Sequence, residues 1–412
     1  MMGDCEFRIE DCLAQIDMLE SSIGAWEFVD AAGARARARE LDRGGATGLL
    51  HGMAIGIKDI IDVKGMPTGH GSRIYTGNIA RLDAACVALA RSAGAVIIGK
   101  TVSTELATFV PARTRNPQNL DFSPGGSSAG SAAAVSGGMV PMAFGTQTAG
   151  SVIRPAAFCG VVGFKPTFGL VPRNGVKLQS DTLDTVGAFT RTIEDAHRWY
   201  LAMTGATRLS SLPAIDRTLR IALVSNFMQH ADVDMSVAIA EAADAMTAAG
   251  VQVREIRLPP TYDEAQRDQQ FVQLAENALH YQPELQQHRQ LLNPELASRL
   301  DEGTAITANA CNAARVRLET ARKQADYLFG DCDAWLMPSA CGAAPRGLDS
   351  TGDPVFNRLV TALHLPALNL PVYRNKLRMP LGLQLIGARH QDEKLLATAA
   401  RLIEFMRTNS HG

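Results

Sequence analysis

Residues 123–131 read Ser-Pro-Gly-Gly-Ser-Ser-Ala-Gly-Ser and run directly into three alanines. Four serines and three glycines therefore precede a stretch of good helix formers. Taken alone, this pattern fits a flexible Gly/Ser loop with a serine that caps a helix beginning near Ala129. Phosphate binding at the helix N-terminus is weakly supported, because both the lysine and the spacing of a P-loop are missing.

Part of this stretch matches the G-x-S-x-G motif of a nucleophile elbow, centred on Ser128. The match follows Pro-Gly-Gly rather than an apolar strand, and no compelling aspartate and histidine stand downstream. We therefore reject an elbow of this kind. Clustered glycines among small residues still indicate that backbone amides are shaped into a site, because glycine allows close backbone approach.

Two further blocks extend the pattern on both sides. Residues 50–59 read LHGMAIGIKD, and residues 140–167 read VPMAFGTQTAGSVIRPAAFCGVVGFKPT. Together with residues 123–131, they closely resemble the amidase signature family of serine hydrolases, and stretches within residues 366–384 match it as well. The resemblance spans most of the chain and is weakest between residues 206 and 330.

The resemblance implies a Ser–cis-Ser–Lys triad, whose positions fall on Ser151, Ser127 and Lys58. Ser151 would be the nucleophile, and Ser127 would relay its proton to Lys58 and later return it to the leaving amine. A cis peptide bond between Gly126 and Ser127 is also implied. Gly125 and Gly126 make such a tight backbone path sterically possible.

Lys58 can act as a base only in its neutral form, so burial or neighbouring donors must depress its pKa. Apolar residues on both sides, including Ile57 and Ile60, suit a buried site. The alternative is an ion pair with Asp59 or Asp62, and the local sequence leaves both interpretations open.

Acyl transfer also needs donors for a developing oxyanion, and each donor removed costs about 2.7–4 kcal/mol. Small side chains let a substrate carbonyl approach the turn where the family pattern places these donors. The residues of that turn are Thr148, Ala149, Gly150 and Ser151. Ser128 and Ser131 are candidates for support: they donate hydrogen bonds around the site or cap the helix that follows.

Two positions depart from the family pattern. The family commonly has aspartate where Gln147 stands, so an amide here makes whatever hydrogen bonds that carboxylate provides. Arg154 stands three residues after Ser151 rather than two, directly before Pro155. This variant, together with residues 350–357, resembles the malonamidase-type branch of the family.

Arg154 is the first candidate for substrate recognition. A guanidinium near the acyl pocket could hold a carboxylate through a bidentate contact. The alternative is that Arg154 pairs with an acidic residue and supports the turn. The further substrate-binding candidates are Gly125, Gly126, Ser128, Thr351 and Gln384.

Helices and strands alternate along the chain, which favours an α/β fold. We expect a single large domain with a central mixed, mostly parallel β-sheet flanked by helices, as in the amidase signature fold. Gly250 is predicted as a helix C-cap and Asp392 as a helix N-cap. Residues 263–328 look chiefly helical, polar and rich in Gln and Arg, and they carry no readable motif.

One domain over residues 1–412 is expected because Lys58, Ser127 and Ser151 must meet in one site. Within it, the sequence predicts N-terminal helices over about 1–45, a signature core over about 46–205, a less readable and largely helical segment over about 206–330, and a C-terminal completion of the core over about 331–412.

The composition narrows the class of protein. The chain is 46% hydrophobic and 20% charged, with 40 Lys and Arg against 42 Asp and Glu, which fits a globular enzyme. A net charge of −2 argues against binding to nucleic acid or to an anionic membrane. No run of about 18 apolar residues predicts a transmembrane helix. The start of the sequence lacks the pattern of a signal peptide.

Seven scattered cysteines without a C-x-x-C pair are interpreted as reduced thiols, so a cytoplasmic location is expected. The predicted mechanism calls for no metal and no organic cofactor. The expected partner is a small-molecule amide. A homodimer is one option for the oligomeric state.

The sequence therefore predicts an amidohydrolase that cleaves a small carboxamide through a seryl acyl-enzyme. An amide with a free carboxylate, such as a dicarboxylic acid monoamide, is favoured. The first alternative is a hydrolase of neutral aryl or alkyl amides, esters or carbamates. A less favoured one is the glutaminase subunit of a tRNA-dependent amidotransferase. A non-catalytic scaffold is disfavoured because every triad position is filled.

Overall fold

Short apolar runs form the strands at the centre of the molecule. The computed structural model describes residues 3–44 and 48–409; the first two residues and the predicted boundary at 45–46 lie outside that part. The strands are β1 (Trp26–Val29), β2 (Ala54–Lys58), β3 (Val96–Thr101), β4 (Met142–Gln147), β5 (Val162–Lys165), β6 (Thr185–Thr190), β7 (Arg220–Val224), β8 (Gln252–Ile256), β9 (Ala334–Pro338), β10 (Ala367–Arg374) and β11 (Pro380–Ile386).

The described strands form one mixed sheet in the order β1-β3-β2-β4-β6-β5-β10-β11-β9-β7-β8. Because this sheet combines strands from both ends of the chain, the described residues form one domain. The expectation of a mostly parallel sheet was wrong. Six of the ten pairings between described strands are antiparallel. The reason is local: β10 and β11, for example, are joined by a turn too short for the crossover that a parallel pair requires.

Helices cover both faces of the sheet. They are α1 (Asp4–Ile23), α2 (Ala31–Gly44), α3 (Ala85–Ser92), α4 (Ala129–Ser136), α5 (Ile153–Cys159), α6 (Ile193–Met203), α7 (Val233–Ala248), α8 (Thr261–His280), α9 (Gln282–His288), α10 (Pro294–Thr304), α11 (Ala308–Leu328), α12 (Val355–Ala362) and α13 (Asp392–Asn409). Within the described residues, no helix is both long enough and apolar enough to cross a membrane.

Alternate residues of the central strands enter two different cores. Ile55 and Ile57 of β2 belong to one apolar cluster, whereas Ala54 belongs to a second cluster on the opposite face. This follows from the two-residue period of a strand. Trp199 of α6 packs edge-on against Phe144 of β4 in the first cluster, at 5.7 Å between ring centroids. A sheet buried on both faces provides a rigid support for side chains at its edge.

Several local expectations can be compared with the structure. Helices over residues 263–328 are confirmed as α8 to α11, and Gly250 follows α7 with a φ of 83°. The cap at Asp392 was wrong, because this residue is the first of α13 and its carboxylate accepts hydrogen bonds from Thr167 N and Oγ1. The predicted helical N-terminus is interrupted by β1.

The fold brings two chemically important strand ends together. β2 ends at Lys58 and β4 ends at Gln147, and these two strands are parallel neighbours. Carboxyl ends of parallel neighbours lie at the same edge of a sheet, where ligands commonly bind. Both strand ends and the turn after β4 therefore form one edge of the sheet, beside the start of α4.

Candidate active site

Lys58 lies at this edge without any carboxylate partner in the described part of the chain. Its side chain is fully buried, and Nζ donates to Ser127 Oγ at 2.7 Å and to Thr146 Oγ1 at 2.8 Å. The alternative of an ion pair with a neighbouring aspartate is not observed. Asp59 instead pairs with Lys100, at 3.1 Å between Oδ1 and Nζ. Lys58 is thus solvated by two hydroxyl groups alone.

Burial lowers the pKa of Lys58 to about 7, and the charge of Asp184 opposes this effect. Asp184 is itself buried, which raises the pKa of its carboxyl group to about 6. It accepts hydrogen bonds from Thr148 Oγ1, Gln179 N and Ser180 N. Near neutral pH, a large fraction of Lys58 is therefore unprotonated and able to accept a proton.

The Gly/Ser stretch supplies the residue that contacts Lys58. The peptide bond between Gly126 and Ser127 is cis, as the family resemblance implies, and Gly125 adopts a φ of 81° that suits glycine. Ser128 does not cap α4 with its side chain. Its hydroxyl lies 3.3 Å from both the backbone N and O of Thr146, so it connects this stretch to β4.

Ser131 has a similar supporting position inside α4. Its Oγ donates to Phe144 O at 2.8 Å and lies 2.7 Å from Thr101 Oγ1. The two serines thus tie the start of α4 to β3 and β4. Of the two roles that the sequence leaves open for Ser128, hydrogen bonding around the site is the one observed.

The turn after β4 presents free backbone donors. The amide groups of residues 148–151 donate no hydrogen bond to any acceptor in the described chain. Gln147 fixes this turn from below: its Oε1 accepts from the amides of Val152 and Ile153 at 3.0 Å each, and its Nε2 donates to Thr361 Oγ1. The side-chain amide thus acts both as acceptor and as donor, which a carboxylate could not do.

Ser151 lies at the boundary between this turn and a cavity of about 440 Å³. Its side chain is buried but reaches the cavity, and within the described residues its hydroxyl makes no hydrogen bond, neither to Ser127 nor to another group. Ala149, Gly150, Arg154 and Thr351 line the same cavity. Lys58 and Ser127 are not among its lining residues and lie beneath it.

Arg154 enters the cavity as a buried cation. It is 4% exposed, and its Nη2 donates to Gly126 O at 2.8 Å and to Thr351 Oγ1 at 3.4 Å. Its Nε has no partner, and no described carboxylate lies within ion-pair distance. The alternative that Arg154 pairs with an acidic residue was therefore wrong. Burial and then the charge of Arg358 lower its pKa to about 10, so the guanidinium stays positive at neutral pH.

Other candidates lie around the cavity rather than in it. Gly125, Gly126 and Ser128 are absent from its described lining, and a substrate contact for them stays a prediction. Gln384 is also buried elsewhere, and its Nε2 donates to Phe356 O. Thr351 lines the cavity and contacts Arg154, as expected for a substrate-binding candidate.

Sequence reasoning missed three more cavity residues: Arg267, Arg299 and Arg358. Two of them come from the Gln- and Arg-rich helical segment that carried no readable motif. Its composition was the available signal, but a polar helix does not reveal which of its residues face a ligand. Within the residues described, no group of three or more His, Cys, Asp or Glu is arranged to hold a metal ion.

Comparison with known proteins identifies the family that combines this fold and this site. The sequence profile of the family described as Amidase matches residues 8–396. The chain belongs to the amidase family. A relative in this family, a glutamyl-tRNA(Gln) amidotransferase subunit from Roseiflexus castenholzii, is 34% identical over 438 residues, which cover 93% of this chain and 89% of the relative.

Solved structures of amidases have the same fold. A structure described as an amidase superposes with a TM-score of 0.88 at 28% identity, covering 96% of this chain and 94% of that chain. A peptide amidase in complex with the competitive inhibitor chymostatin gives a TM-score of 0.84 at 27% identity, covering 98% and 94%. As a member of the amidase family, the protein is a hydrolase that acts on amide C–N bonds.

Proposed function

We propose that this protein hydrolyses a small carboxamide that carries a free carboxylate, through an acyl-enzyme on Ser151. One observation carries the choice of substrate: Arg154 is buried beside Ser151, has an unpartnered Nε and lacks a carboxylate partner in the described chain. A buried guanidinium is costly unless a charge compensates it. A substrate carboxylate would provide that compensation, which supports the malonamidase-type branch.

In the first half of the reaction, neutral Lys58 takes the proton of Ser127, and Ser127 takes the proton of Ser151. The Ser151 oxygen attacks the amide carbon, and the carbonyl oxygen becomes an oxyanion. The free amides of residues 148–151 are placed to donate to this oxyanion. The contact between Lys58 Nζ and Ser127 Oγ, at 2.7 Å, supports the direction of the proton relay.

In the second half, the C–N bond breaks and the leaving nitrogen takes a proton that Lys58 returns through Ser127. Ammonia or an amine departs, and an ester on Ser151 remains. Water then attacks this ester, again with Lys58 as the proton acceptor, and the carboxylic acid leaves as Ser151 regains its proton. No group outside the protein and water is needed for these steps.

The first alternative, a neutral amide, ester or carbamate as substrate, leaves Arg154 without a function in binding. The glutaminase subunit of a tRNA-dependent amidotransferase is the second candidate, and the names of the relatives favour it. Glutamine carries an ammonium group as well as a carboxylate. The described residues that line the cavity include no Asp or Glu to bind that ammonium group, so glutamine fits this cavity less well than a simple acid amide.

The proposal is tested by purifying the protein alone and measuring ammonia or amine release from a panel of amides, esters and carbamates, each with and without a carboxylate. The highest kcat/KM is expected for a carboxylate-bearing amide. The Ser151→Ala protein should keep its circular dichroism spectrum and lose at least about a thousandfold in kcat. A preference for neutral substrates, or near-normal turnover by Ser151→Ala, contradicts the proposal.

A further inference from the structure

The cavity beside Ser151 carries more positive charge than one substrate carboxylate requires. Its described lining residues include four arginines, at positions 154, 267, 299 and 358, and no Asp or Glu. The chain as a whole has a net charge of −2. The concentration of arginine is therefore a local property of this cavity, and it is the kind of field that selects anions.

Two of these arginines lie close enough to influence each other. Arg358 on α12 is four-fifths buried, and Arg299 belongs to α10. Burial, opposed by Asp353, lowers the pKa of Arg358, and the charge of Arg299 lowers it further. Two like charges at one wall of a cavity are held at a cost unless an anion lies between or beside them.

The acidic groups near this pair compensate it only weakly. Asp353 lies 3.7 Å from Arg358 but its side chain is 58% exposed, and Glu302 lies 3.7 Å from Arg299 with both side chains 55% exposed. Exposed contacts of this length contribute little. The guanidinium of Arg299 also lies over the ring of Phe109, a cavity residue, at 5.6 Å from its centroid, which holds it at the wall.

The size of the cavity points in the same direction. About 440 Å³ falls within the range that accommodates larger organic ligands. A dicarboxylic acid monoamide of a few atoms, bound between Ser151 and Arg154, would leave most of this volume unused. The remaining walls include apolar side chains such as Phe271 and Leu274, which can cover the body of a longer molecule.

We propose that Arg358 and Arg299 form a second anion-binding subsite, so that the natural substrate is an amide with two anionic groups. One group contacts Arg154, and the other contacts Arg358 and Arg299. This inference rests on the proposed function, because it assumes that Ser151 and Arg154 act on a carboxylate-bearing amide. The second anion belongs either to the acyl chain or to the leaving amine.

The test uses two pairs of substrates that share one acyl carboxylate. In the amine pair, the leaving nitrogen carries a carboxymethyl group or an isobutyl group of the same shape. In the acyl pair, the acyl chain carries the same two substituents as a branch. In one of the pairs, kcat/KM of the wild-type protein should be about tenfold higher for the doubly anionic member, since charged hydrogen bonds are gained.

The variants Arg358→Gln and Arg299→Gln should each bring this ratio close to one, mainly through KM, and Arg358→Lys should retain more of it than Arg358→Gln. Arg267→Gln is the matched control, since Arg267 also lines the cavity and its replacement removes the same charge. Its ratio should stay close to the wild-type value. Arg299 is exposed, so Arg299→Gln carries the test if Arg358→Gln fails to fold.

Equal kcat/KM within both pairs overturns the inference. So does an equal loss of the ratio in Arg267→Gln, because the effect would then come from the field of the whole cavity rather than from a subsite. Failure of the proposed function looks different: the wild-type protein would then not distinguish a singly anionic amide from its neutral analogue.

Discussion

Lys58 and Lys100 are both fully buried and differ in their partners. Lys100 contacts a carboxylate, that of Asp59, whereas Lys58 contacts the hydroxyls of Ser127 and Thr146. An ion pair stabilises the charged form of a lysine, and hydroxyl groups do so much less. The difference between a structural lysine and a proton acceptor thus lies in what surrounds each Nζ atom.

The pH dependence of kcat/KM should reflect Lys58. Since burial lowers its pKa to about 7, the base is neutral above this pH and protonated below it. Activity should therefore fall as pH decreases through about 7, with the slope of a single proton. Steady-state kinetics between about pH 5 and 9 on a substrate that does not titrate in this range measures the effect.

Two variants assign this pH limb. Asp184 raises the pKa of Lys58, so Asp184→Asn should move the limb to lower pH. Lys165 is also buried with a pKa lowered to about 7, but its Nζ donates to Pro166 O away from the two serines. Lys165→Met should leave the limb in place. A limb that stays fixed in Asp184→Asn, or disappears in Lys165→Met, argues against Lys58 as the base.

At the scale of single elements, the turn between β4 and α5 depends on one buried side chain. Gln147 accepts from two amides at the start of α5 and donates to Thr361 of α12, and Thr361 in turn donates to Ala149 O. The turn that presents the free amides is thereby attached to two helices. Its conformation does not depend on a bound substrate.

Replacing Gln147 by leucine should therefore damage both stability and turnover. Two buried amide groups would lose their acceptor, at about 1–3 kcal/mol for each unsatisfied group. Gln147→Glu keeps the acceptor oxygens and loses only the donor, so it should retain more of both properties. Urea unfolding and kcat measured on the two variants give the comparison, and equal behaviour of both would show that these hydrogen bonds do not hold the turn.

The sequence was informative where motifs are contiguous and silent where packing decides. The contact between Lys58 and Ser127 and the helix after Ser128 were predictable, because each depends on a short, distinctive stretch. Arg299 and Arg358 were not, because only the packing of α8, α10 and α12 brings their helices to the cavity. The parallel content of the sheet was overestimated, since alternation of helices and strands does not reveal which strands become neighbours.

At the scale of the whole molecule, charge is distributed unevenly. A chain with a net charge of −2 places four arginines and no described carboxylate around one cavity. Two of the four are exposed at the surface, where a field can extend towards an approaching ligand. The cavity should attract anions, although the protein does not bind them generally.

Salt should therefore weaken activity on anionic amides only. Raising ionic strength from about 10 to 150 mM shortens the screening length to about 8 Å, and kcat/KM for a carboxylate-bearing amide should fall severalfold. A neutral amide of the same shape, measured in parallel, should change little. Equal salt dependence of both substrates would mean that the arginines contribute nothing to substrate capture.

The central claim is that Arg154 binds a substrate carboxylate beside Ser151. The most direct measurement compares Arg154→Ala with the wild-type protein on one amide bearing a carboxylate and on its neutral analogue of the same shape. Loss of a buried charged contact should lower kcat/KM on the anionic amide by about a hundredfold or more, and much less on the neutral one. Equal losses on both substrates would contradict the claim.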